Sequence, residues 1–465
     1  MSTTIRIPSS VYARARAHLL TEGRGEFYGF FLAGVNAISH RVDLLAREFV
    51  AVPEDQVHLS EDGFELPLSA WLSIRNRAHA ENAALIEAHS HPFGPAGFSR
   101  TDEKWSAAFA AHILGDLPGR PYAATVWSPG SIDGRLWRTS GNEWIQIDEL
   151  CVLSARIERV RTTGADRPQP MEGTEVASPR YSRQVKALGD AGQDELTSAQ
   201  IGIIGLGGLG SISAIQLAYA GVRRFVLVDW DAVEDTNLNR LVGAGPADIG
   251  RLKTEVVERE ILRISGVEKC EIQSFRELRG LRAIEALTEV DCLVGAVDND
   301  AARLILNELA VAYMVPYFDL GVGIEARDGI VVEAGGRVTF VHPDGPCLLC
   351  ATAYSPRIAA EELRNHEDRK RAQALGYISG DGDPSPSVVT LNTVVSGLGM
   401  TELLSFVAGW RSPVENVSYD MMKGATIPTV VRRNAKCVVC GYAGRGHDVR
   451  LDRYFPEREN ANATG

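Results

Sequence analysis

The sequence predicts an α/β protein of two domains, the second of which contains a parallel sheet. The chain has 465 residues, which is more than one domain of ordinary size requires. A stretch rich in proline, glycine and charge, GADRPQPMEGTEVASP, interrupts it near residues 164–179. Beyond it, the order of apolar segment, glycine-rich turn, helical segment and apolar segment is that of a βαβ unit. We therefore expect domains at 1–163 and 180–456, a linker at 164–179 and a disordered tail at 457–465.

Composition and charge exclude several classes of protein. The hydrophobic fraction of 45% is ordinary for a globular chain, and the net charge of -12 argues against nucleic acid as a partner. The opening residues, MSTTIRIPSS, lack the pattern of a secretory signal. The apolar stretch 388–410 is interrupted by Asn392, Ser396 and Glu402, which predicts a buried helix rather than a membrane span. We expect a cytoplasmic protein.

The first domain contains three segments with a clear pattern. The run AALIEAHSHP predicts a strand, and EKWSAAFAAHIL, which follows Asp102, predicts a helix. The segment EWIQIDELCVLSARIERV, which contains Cys151, predicts an amphipathic helix at the end of the domain.

Two histidines at the end of the predicted strand are candidate metal ligands. His89 and His91 are two residues apart and share one face of a strand. Asp102 lies in the first turn of the following helix, and two imidazoles with one carboxylate are the ligand set of a catalytic zinc with an open fourth position. Two simpler interpretations exist. Ser99 and Asp102 also have the spacing of a helix capping box, and a His-Ser-His pair can be an ordinary surface feature.

The complete spacing of these residues, His-x-His-x7-Ser-x2-Asp from His89 to Asp102, resembles the signature of the JAMM (Mov34/MPN/JAB) metalloproteases. The resemblance covers roughly residues 5–140. It implies a zinc-dependent isopeptidase or peptidase that cleaves after ubiquitin-like C-termini, and an oxyanion-stabilising role for Ser99. It also implies a general acid/base upstream, for which Glu26, at the start of EFYGFFLAG, is the candidate and Glu22 the competitor.

The second domain begins with a glycine-rich turn between a strand and a helix, in which the glycines are Gly205, Gly207, Gly208 and Gly210. Such a turn lets backbone N–H groups approach phosphates, and Asp229 at the end of the next strand is placed to bind ribose. Taken alone, this motif predicts a nicotinamide oxidoreductase. The polar residues that follow, however, suit a triphosphate with magnesium better than NAD; they are Asn237, Arg240, Lys253, Asp298, Arg303 and Asn307.

The segments RYSRQ, GLGGLG, VDWD, TNLNR and DNDAAR, with two C-x-x-C pairs, resemble the ThiF/MoeB and ubiquitin-activating-enzyme family. The resemblance implies a Rossmann-like domain that adenylates a C-terminus with ATP and Mg²⁺. It implies that Asp229 binds the ribose and Asp298 the magnesium ion. Asn237, Arg240 and Lys253 would contact phosphates, and Arg183 would reach the ATP of the partner in a homodimer.

The seven cysteines predict a metal site and limit the chemistry. Cys347, Cys350, Cys437 and Cys440 form two C-x-x-C pairs, which in a reducing compartment indicate a structural four-sulfur zinc site. The family's reactive cysteine lies between such pairs, but residues 351–436 contain no cysteine. We therefore expect an acyl-adenylate that passes directly to another protein. Ser385 and Ser387 offer a weaker oxyester alternative, and the charged, then glycine-rich stretch around them predicts a polar helix followed by a mobile loop.

The sequence thus predicts a bifunctional enzyme that processes and adenylates a ubiquitin-like or sulfur-carrier C-terminus. The expected cofactors are a catalytic Zn²⁺, a structural Zn²⁺, ATP and Mg²⁺. The sequence does not decide whether the pathway is protein conjugation or sulfur transfer. It also does not decide whether the peptidase trims precursors or removes conjugates. A scaffold with one inactive domain is the alternative from another class.

Overall fold

The computed structural model of the protein describes residues 1–21, 25–56, 58–60, 63–65, 67–138, 143–165, 179–266, 269–364 and 386–455. The chain divides into two compact units. The first consists of Met1–Gln169 with the short segments Ala312–Met314 and Tyr442–Arg450, and the second contains the remaining residues. Most of the expected linker and the expected tail lie outside the described residues.

The first unit is built on a nine-stranded mixed sheet with the order β11-β10-β1-β3-β2-β6-β7-β8-β9. Its helices are α1 (Ser9–Leu19), α2 (Leu68–Ala80) and α3 (Arg100–Asp116). The strands of this sheet and of a separate hairpin, β4-β5, are β1 (Ser2–Pro8), β2 (Tyr28–Ile38), β3 (Arg41–Ala51), β4 (His58–Ser60), β5 (Gly63–Glu65), β6 (Ala84–Ser90), β7 (Tyr122–Trp127), β8 (Ile132–Arg138), β9 (Glu143–Gln146), β10 (Glu149–Leu153) and β11 (Ile157–Arg161).

Both faces of this sheet are covered, which explains why its central strands are continuously apolar. Along β2, Phe31 and Ala33 pack into a cluster that includes residues of α1, whereas Phe30 and Leu32 pack into a cluster that includes residues of α2 and α3. Because successive side chains of a strand point to opposite faces, a strand covered on both sides needs apolar residues at every position. The strand predicted for AALIEAHSHP is confirmed as β6, in the interior of the sheet.

The helix predicted at the end of this domain is wrong. The segment EWIQIDELCVLSARIERV forms the strands β9, β10 and β11, and Cys151 lies in β10 rather than in a helix. The backbone groups of β10 pair in parallel with β1 and in antiparallel fashion with β11. Leu150 and Val152, two residues apart, enter the core. This two-residue period and the distant pairing with β1 override the apparent helical pattern.

The second unit is built on an eight-stranded sheet with the order β14-β13-β12-β15-β16-β17-β18-β19. Its helices are α4 (Ser182–Ser198), α5 (Gly208–Ala220), α6 (Lys253–Ser265), α7 (Leu281–Glu289), α8 (Asp300–Ala312), α9 (Pro356–Glu362) and α10 (Val389–Ala408). Its strands are β12 (Gln200–Ile204), β13 (Arg224–Val228), β14 (Glu271–Phe275), β15 (Cys292–Gly295), β16 (Tyr317–Arg327), β17 (Ile330–Val341), β18 (Asn416–Asp420) and β19 (Ala425–Pro428).

The predicted βαβ unit is confirmed as β12-α5-β13, with the two strands parallel. The chain proceeds outward from β12 to β14 and then returns to β15 on the other side of β12. In open α/β sheets, ligands bind at the carboxyl ends of the strands where the strand order reverses in this way. The reversal places the turn after β12 at the expected ligand-binding position.

The apolar stretch predicted as a buried helix forms α10. By length and composition α10 could cross a membrane, with a mean hydropathy of 1.3 over its most apolar window, but 61% of that window is buried in the structure. The helix packs on α5 and on β16 and β17. It is therefore a core helix of the second unit in this structure. Part of the predicted polar helix forms α9, and the expected loop after it lies outside the described residues.

Candidate functional site

The strand β6 ends at the first candidate site. His89 is 1% exposed and pairs in the sheet with Tyr28 of β2, whose ring stacks on the imidazole at 5.4 Å. His91 lies just beyond β6 and is more exposed. His89 Nε2 lies 3.5 Å from Asp102 Oδ1, and His91 Nε2 lies 3.4 Å from Asp102 Oδ2. One carboxylate therefore faces both imidazoles.

A capping box at the start of α3 positions Asp102. The Ser99 hydroxyl accepts the backbone N–H of Asp102, and the Asp102 carboxylate accepts the backbone N–H of Ser99. The capping interpretation of the sequence is thus confirmed, and it coexists with the approach of Asp102 to the histidines. A short helix start that is fixed in this way holds the carboxylate at a defined place.

The three side chains form a group that could hold a metal ion, because one donor atom from each lies within 4.8 Å of the other two. Without a metal ion, the close approach of these side chains shifts the pKa values of His89 and Asp102 in opposite directions. Burial opposes a charged His89, but the nearby carboxylates of Asp102 and Glu87 outweigh it and raise the pKa of His89 to about 9. Burial acts to raise the pKa of Asp102, yet the neighbouring imidazoles hold it well below its usual range. This is the electrostatic setting of a site suited to a cation.

Glu26 lies beside this group, two residues before β2 begins. Its Oε1 is 3.9 Å from His91 Nε2, and its Oε2 accepts a hydrogen bond of 2.9 Å from the Tyr28 hydroxyl. The chain here is tied to β6 because the Phe27 N–H donates to the Ser90 hydroxyl at 2.9 Å. Glu22, the competing candidate, lies outside the described residues.

Sequence reasoning missed two polar residues behind His89. The buried carboxylate of Glu87 lies 3.3 Å from His89 Nδ1 and accepts a hydrogen bond from the Tyr122 hydroxyl on β7. A glutamate inside the apolar run ALIEAHS was the available signal, since a buried carboxylate requires a partner.

The glycine-rich turn after β12 is shaped by close approach of its backbone. Gly205 has a φ of +84°, which favours glycine. A Cβ atom at Gly210 would lie 1.8 Å from the Gly205 carbonyl oxygen, so α5 starts too close to the turn for any side chain. Gly208 begins α5 and Gly207 precedes it, and no side chain caps the first N–H groups of the helix. Those N–H groups can donate hydrogen bonds to an anionic ligand.

The carboxylate of Asp229 is hydrogen-bonded to the same turn. Its two oxygens accept the backbone N–H groups of Leu206 at 2.6 Å and of Asp231 at 2.8 Å. Burial raises the pKa of Asp229, and these contacts oppose that shift. Asp229 therefore supports the turn directly, and its predicted contact with ribose stays a prediction.

The sequence predicts three further residues as phosphate ligands near this turn. The Arg240 guanidinium donates to the Thr236 carbonyl at 2.7 Å, and its Cβ lies 3.5 Å from the position of a Cβ at Gly208. Lys253, at the start of α6, pairs with Asp231 at 2.6 Å. Asn237 caps a short 3-10 turn. Arg240 is thus brought to the glycine turn, while Lys253 and Asn237 are engaged with local partners.

The segment after β15 reaches the same turn. A Cβ atom at Gly205 would lie 2.6 Å from the Ala296 carbonyl oxygen, which places Asp298 two residues beyond this contact. Arg303 donates to the Val297 carbonyl and pairs with Asp319, so it supports this segment. Asn307 is not part of the nucleotide site: its oxygen accepts the N–H of Leu348, next to the cysteines. Its prediction as part of the triphosphate-binding array was wrong.

Sequence reasoning also missed Asn392, which is 2% exposed in the apolar helix α10. Its side-chain nitrogen lies 2.2 Å from the position of a Cβ at Gly208 and donates to the Ser387 hydroxyl at 3.2 Å. A lone asparagine in the apolar stretch was the signal. Ser385 lies outside the described residues, and Arg183 is exposed on α4.

The two C-x-x-C pairs converge. The Sγ atoms of Cys347 and Cys437 are 3.6 Å apart, and those of Cys350 and Cys440 are 3.7 Å apart. A hydrogen bond from Cys440 helps lower the pKa of Cys347 to about 5, and the adjacent thiolate raises the pKa of Cys440. Four sulfurs so close together could hold a metal ion, in agreement with the predicted pairing of these motifs.

A family comparison identifies the second unit. The model of the ThiF family matches residues 181–439, which is more than half of the chain. The chain therefore belongs to the ThiF family, and its second unit is a ThiF/MoeB-like adenylyltransferase domain with the mixed α/β, Rossmann-like fold predicted from sequence. Membership in this family contradicts the alternative of a nicotinamide oxidoreductase.

Several curated proteins are similar to this chain over the same region. A sulfur carrier protein adenylyltransferase of Thermus thermophilus is 29% identical over 281 residues, which are 58% of this chain and 93% of that protein. An adenylyltransferase and sulfurtransferase MOCS3 of Anopheles gambiae is 30% identical over 57% of this chain, but the match spans only 55% of that protein. The chain thus spans nearly all of one relative and about half of the other.

Solved structures also resemble the chain. A crystal structure of E. coli MccB with ATP is 22% identical, with a TM-score of 0.45, and covers 58% of this chain and 76% of that chain.

Proposed function

We propose that this chain adenylates the C-terminus of a ubiquitin-like or sulfur-carrier protein with ATP, and that its first unit is a JAMM-type zinc (iso)peptidase that acts on such proteins. The match of the ThiF family to residues 181–439 is the observation that carries the first activity. The group of His89, His91 and Asp102, with its signature spacing, carries the second. We expect both reactions in the cytoplasm.

The residues around the glycine turn fit a nucleotide with its magnesium ion. The uncapped start of α5 offers N–H donors to phosphate oxygens, and Arg240 adds positive charge beside them. Asp298 would hold Mg²⁺, and Lys253 would exchange its contact with Asp231 for a phosphate. ATP would supply the adenylyl group, with pyrophosphate as the leaving group, and Mg²⁺ would neutralise the charge of the phosphates. These residues would hold the nucleotide so that its α-phosphate is open to attack by the carboxylate of the C-terminus.

The first unit fits a zinc ion by an independent observation. His89 Nε2 is buried and has no hydrogen-bond partner among the described residues, although it faces Asp102 and His91. Zinc bound by these three residues would act as a Lewis acid and lower the pKa of a bound water. Glu26 would accept a proton from that water and return it to the leaving amine. Ser99 would donate its hydroxyl to the developing oxyanion.

The four cysteines would hold a structural zinc in a closed site. Binding would connect the loop that follows β17 with the segment near the end of the second unit, and would contribute to its folding free energy.

Two thiols outside the four-cysteine group, those of Cys270 and Cys292, do not suit a covalent intermediate. Burial raises the pKa of both Cys270 and Cys292, which disfavours their reactive thiolate forms. Residues 351–436 contain no cysteine. We propose direct transfer of the acyl-adenylate to a downstream protein, and a homodimer in which Arg183 reaches the partner's nucleotide.

ATP–pyrophosphate exchange with a candidate sulfur-carrier or ubiquitin-like protein tests the proposed adenylation. The Asp298→Ala variant should lose exchange, because the magnesium-bound phosphates would lack their carboxylate ligand. Asp328→Ala, which alters an exposed turn between β16 and β17, is the matched control and should retain wild-type exchange. Exchange at the wild-type rate by Asp298→Ala would refute the role of this carboxylate. If the wild-type protein shows no exchange with any candidate carrier, the proposed adenylation is refuted.

A further inference from the structure

Glu87 is a buried carboxylate that the proposed mechanism does not use. It lies in the middle of β6, an otherwise apolar strand, and is 1% exposed. A charged or polar side chain at such a position destabilises the fold unless neighbouring groups satisfy it. Its retention inside the sheet therefore requires a specific set of partners.

Two groups satisfy the Glu87 carboxylate from opposite sides. Oε1 lies 3.3 Å from Nδ1 of His89, two residues along the same face of β6. Oε2 accepts a hydrogen bond from the Tyr122 hydroxyl, on the adjacent strand β7. The Thr125 hydroxyl, also on β7, donates to the Glu87 backbone carbonyl at 2.9 Å. Two paired strands thus set the orientation of the carboxylate.

This contact distinguishes the two nitrogens of His89. A neutral imidazole carries its proton on one nitrogen and offers a lone pair on the other, and the hydrogen bond made by one nitrogen determines which. Nδ1 faces an acceptor, Glu87, whereas Nε2 faces Asp102 at 3.5 Å. We infer that Glu87 is a positioning residue that keeps the proton of His89 on Nδ1, so that Nε2 is free to bind the metal. This inference rests on the proposed peptidase function.

The ring of His89 is held in place independently of Glu87. Tyr28 stacks on one face with an interplanar angle of 21°, and Phe98 contacts the ring edge-on at 6.3 Å. Loss of the Glu87 carboxylate should therefore change the preferred tautomer more than the position of the ring. This separates a positioning role from a general contribution to packing.

Zinc affinity of the full-length chain tests the inference without reference to peptidase activity. We expect Glu87→Ala to weaken zinc binding at the first unit about 10- to 100-fold, the usual effect of removing such a partner from a ligating histidine. Glu87→Gln should restore most of the affinity, because its amide oxygen can accept the same Nδ1–H and its NH₂ can donate to Tyr122. Competition with a chromophoric chelator measures affinity, and the visible spectrum of the cobalt-substituted protein reports on the ligand geometry.

The controls separate failure of the inference from failure of the proposed function. Retention of zinc by the four cysteines shows that the second unit of each variant is folded, and thermal unfolding checks the first unit. His91→Ala, which removes a proposed ligand, should abolish zinc binding at the first unit. If Glu87→Ala binds zinc like wild type, or if Glu87→Gln loses as much affinity as Glu87→Ala, the inference is overturned while the zinc site stands. If wild type and His91→Ala contain the same amount of zinc, the first unit binds none and the proposed function fails as well.

A third variant keeps the inference testable if neither Glu87 variant folds. Tyr122→Phe preserves the volume of the side chain but frees the carboxylate of its hydroxyl partner. Weaker zinc binding by Tyr122→Phe supports the positioning role of Glu87, and an unchanged zinc affinity overturns it.

Discussion

At the scale of single residues, the two units use carboxylates in different ways. Asp102 faces two imidazoles at 3.4 and 3.5 Å, and Glu26 approaches the same group from the segment that precedes β2. Asp229 instead accepts two backbone N–H groups and so supports the glycine turn. A carboxylate's residue type and spacing therefore predict that it is near a site, but its hydrogen-bond partners decide what it does there.

The glycines of the turn after β12 should differ in how they tolerate a methyl group. Gly210→Ala would place its Cβ 1.8 Å from the Gly205 carbonyl, a backbone atom that cannot move freely, and should destabilise the second unit by about 1–3 kcal/mol or more. Gly207→Ala is the matched control, because nothing lies within 4 Å of its Cβ position. Thermal unfolding without nucleotide measures both. Equal midpoints for the two variants would contradict this account of the turn.

At the scale of elements, local patterns predicted β6, α3 and the β12-α5-β13 unit correctly. Each has a period or a cap that lies within its own segment, such as the box between Ser99 and Asp102. The segment Glu143–Val160 was mispredicted as a helix because its strands β9 to β11 depend on pairing with residues far away in sequence, including β1. Element type follows from local sequence only where distant pairing does not compete.

Ser99 should show separable effects on the stability of α3 and on chemistry. Ser99→Ala removes both the helix cap and the hydroxyl, and should cost about 0.5–2 kcal/mol of stability as well as peptidase activity. Ser99→Asn retains a capping side chain, so its stability should stay near wild type while activity falls. Chemical denaturation and cleavage of a ubiquitin-like fusion measure the two effects. Full activity in Ser99→Asn would leave Ser99 with only the capping role.

The two groups of metal-binding side chains should differ in how they hold zinc. Purified protein should contain two zinc ions per chain, one resistant to mild chelation in the closed four-cysteine group and one labile with His89, His91 and Asp102. Metal analysis before and after chelation should show that His89→Ala/His91→Ala loses only the labile ion. Cys437→Ala should lose only the resistant one. A double-histidine variant that retains both ions would refute the first site.

At the scale of the whole molecule, the two proposed activities have to act in sequence, since hydrolysis of a finished product would undo its activation. Adenylation requires a free α-carboxylate. A precursor with residues beyond its terminal glycine lacks one until a peptidase exposes it. The peptidase in the first unit would thus prepare the substrate for the second.

This order predicts a substrate-dependent defect in Glu26→Ala. The variant should fail to adenylate an extended precursor but should adenylate a pre-trimmed one normally, because only the proton transfer needed for hydrolysis is lost. Pyrophosphate release with each substrate measures the difference, and wild type should accept both. If Glu26→Ala activates the extended precursor equally well, the first unit does not trim precursors. Removal of the modifier from conjugates would then be its proposed role.

The sequence by itself determined the features that are encoded within short segments. These are the His-x-His-x7-Ser-x2-Asp spacing, the glycine turn after a strand, and the two C-x-x-C pairs, each of which a local pattern places correctly. Only the tertiary structure decided which distant side chains meet them. It brought Glu26 and Glu87 to the histidines and Asn392 to Gly208, and it placed Asn307 beside the cysteines rather than the nucleotide turn. The physical reason is that strand register and helix packing bring together residues far apart in sequence, and such long-range contacts leave no periodic trace in the sequence.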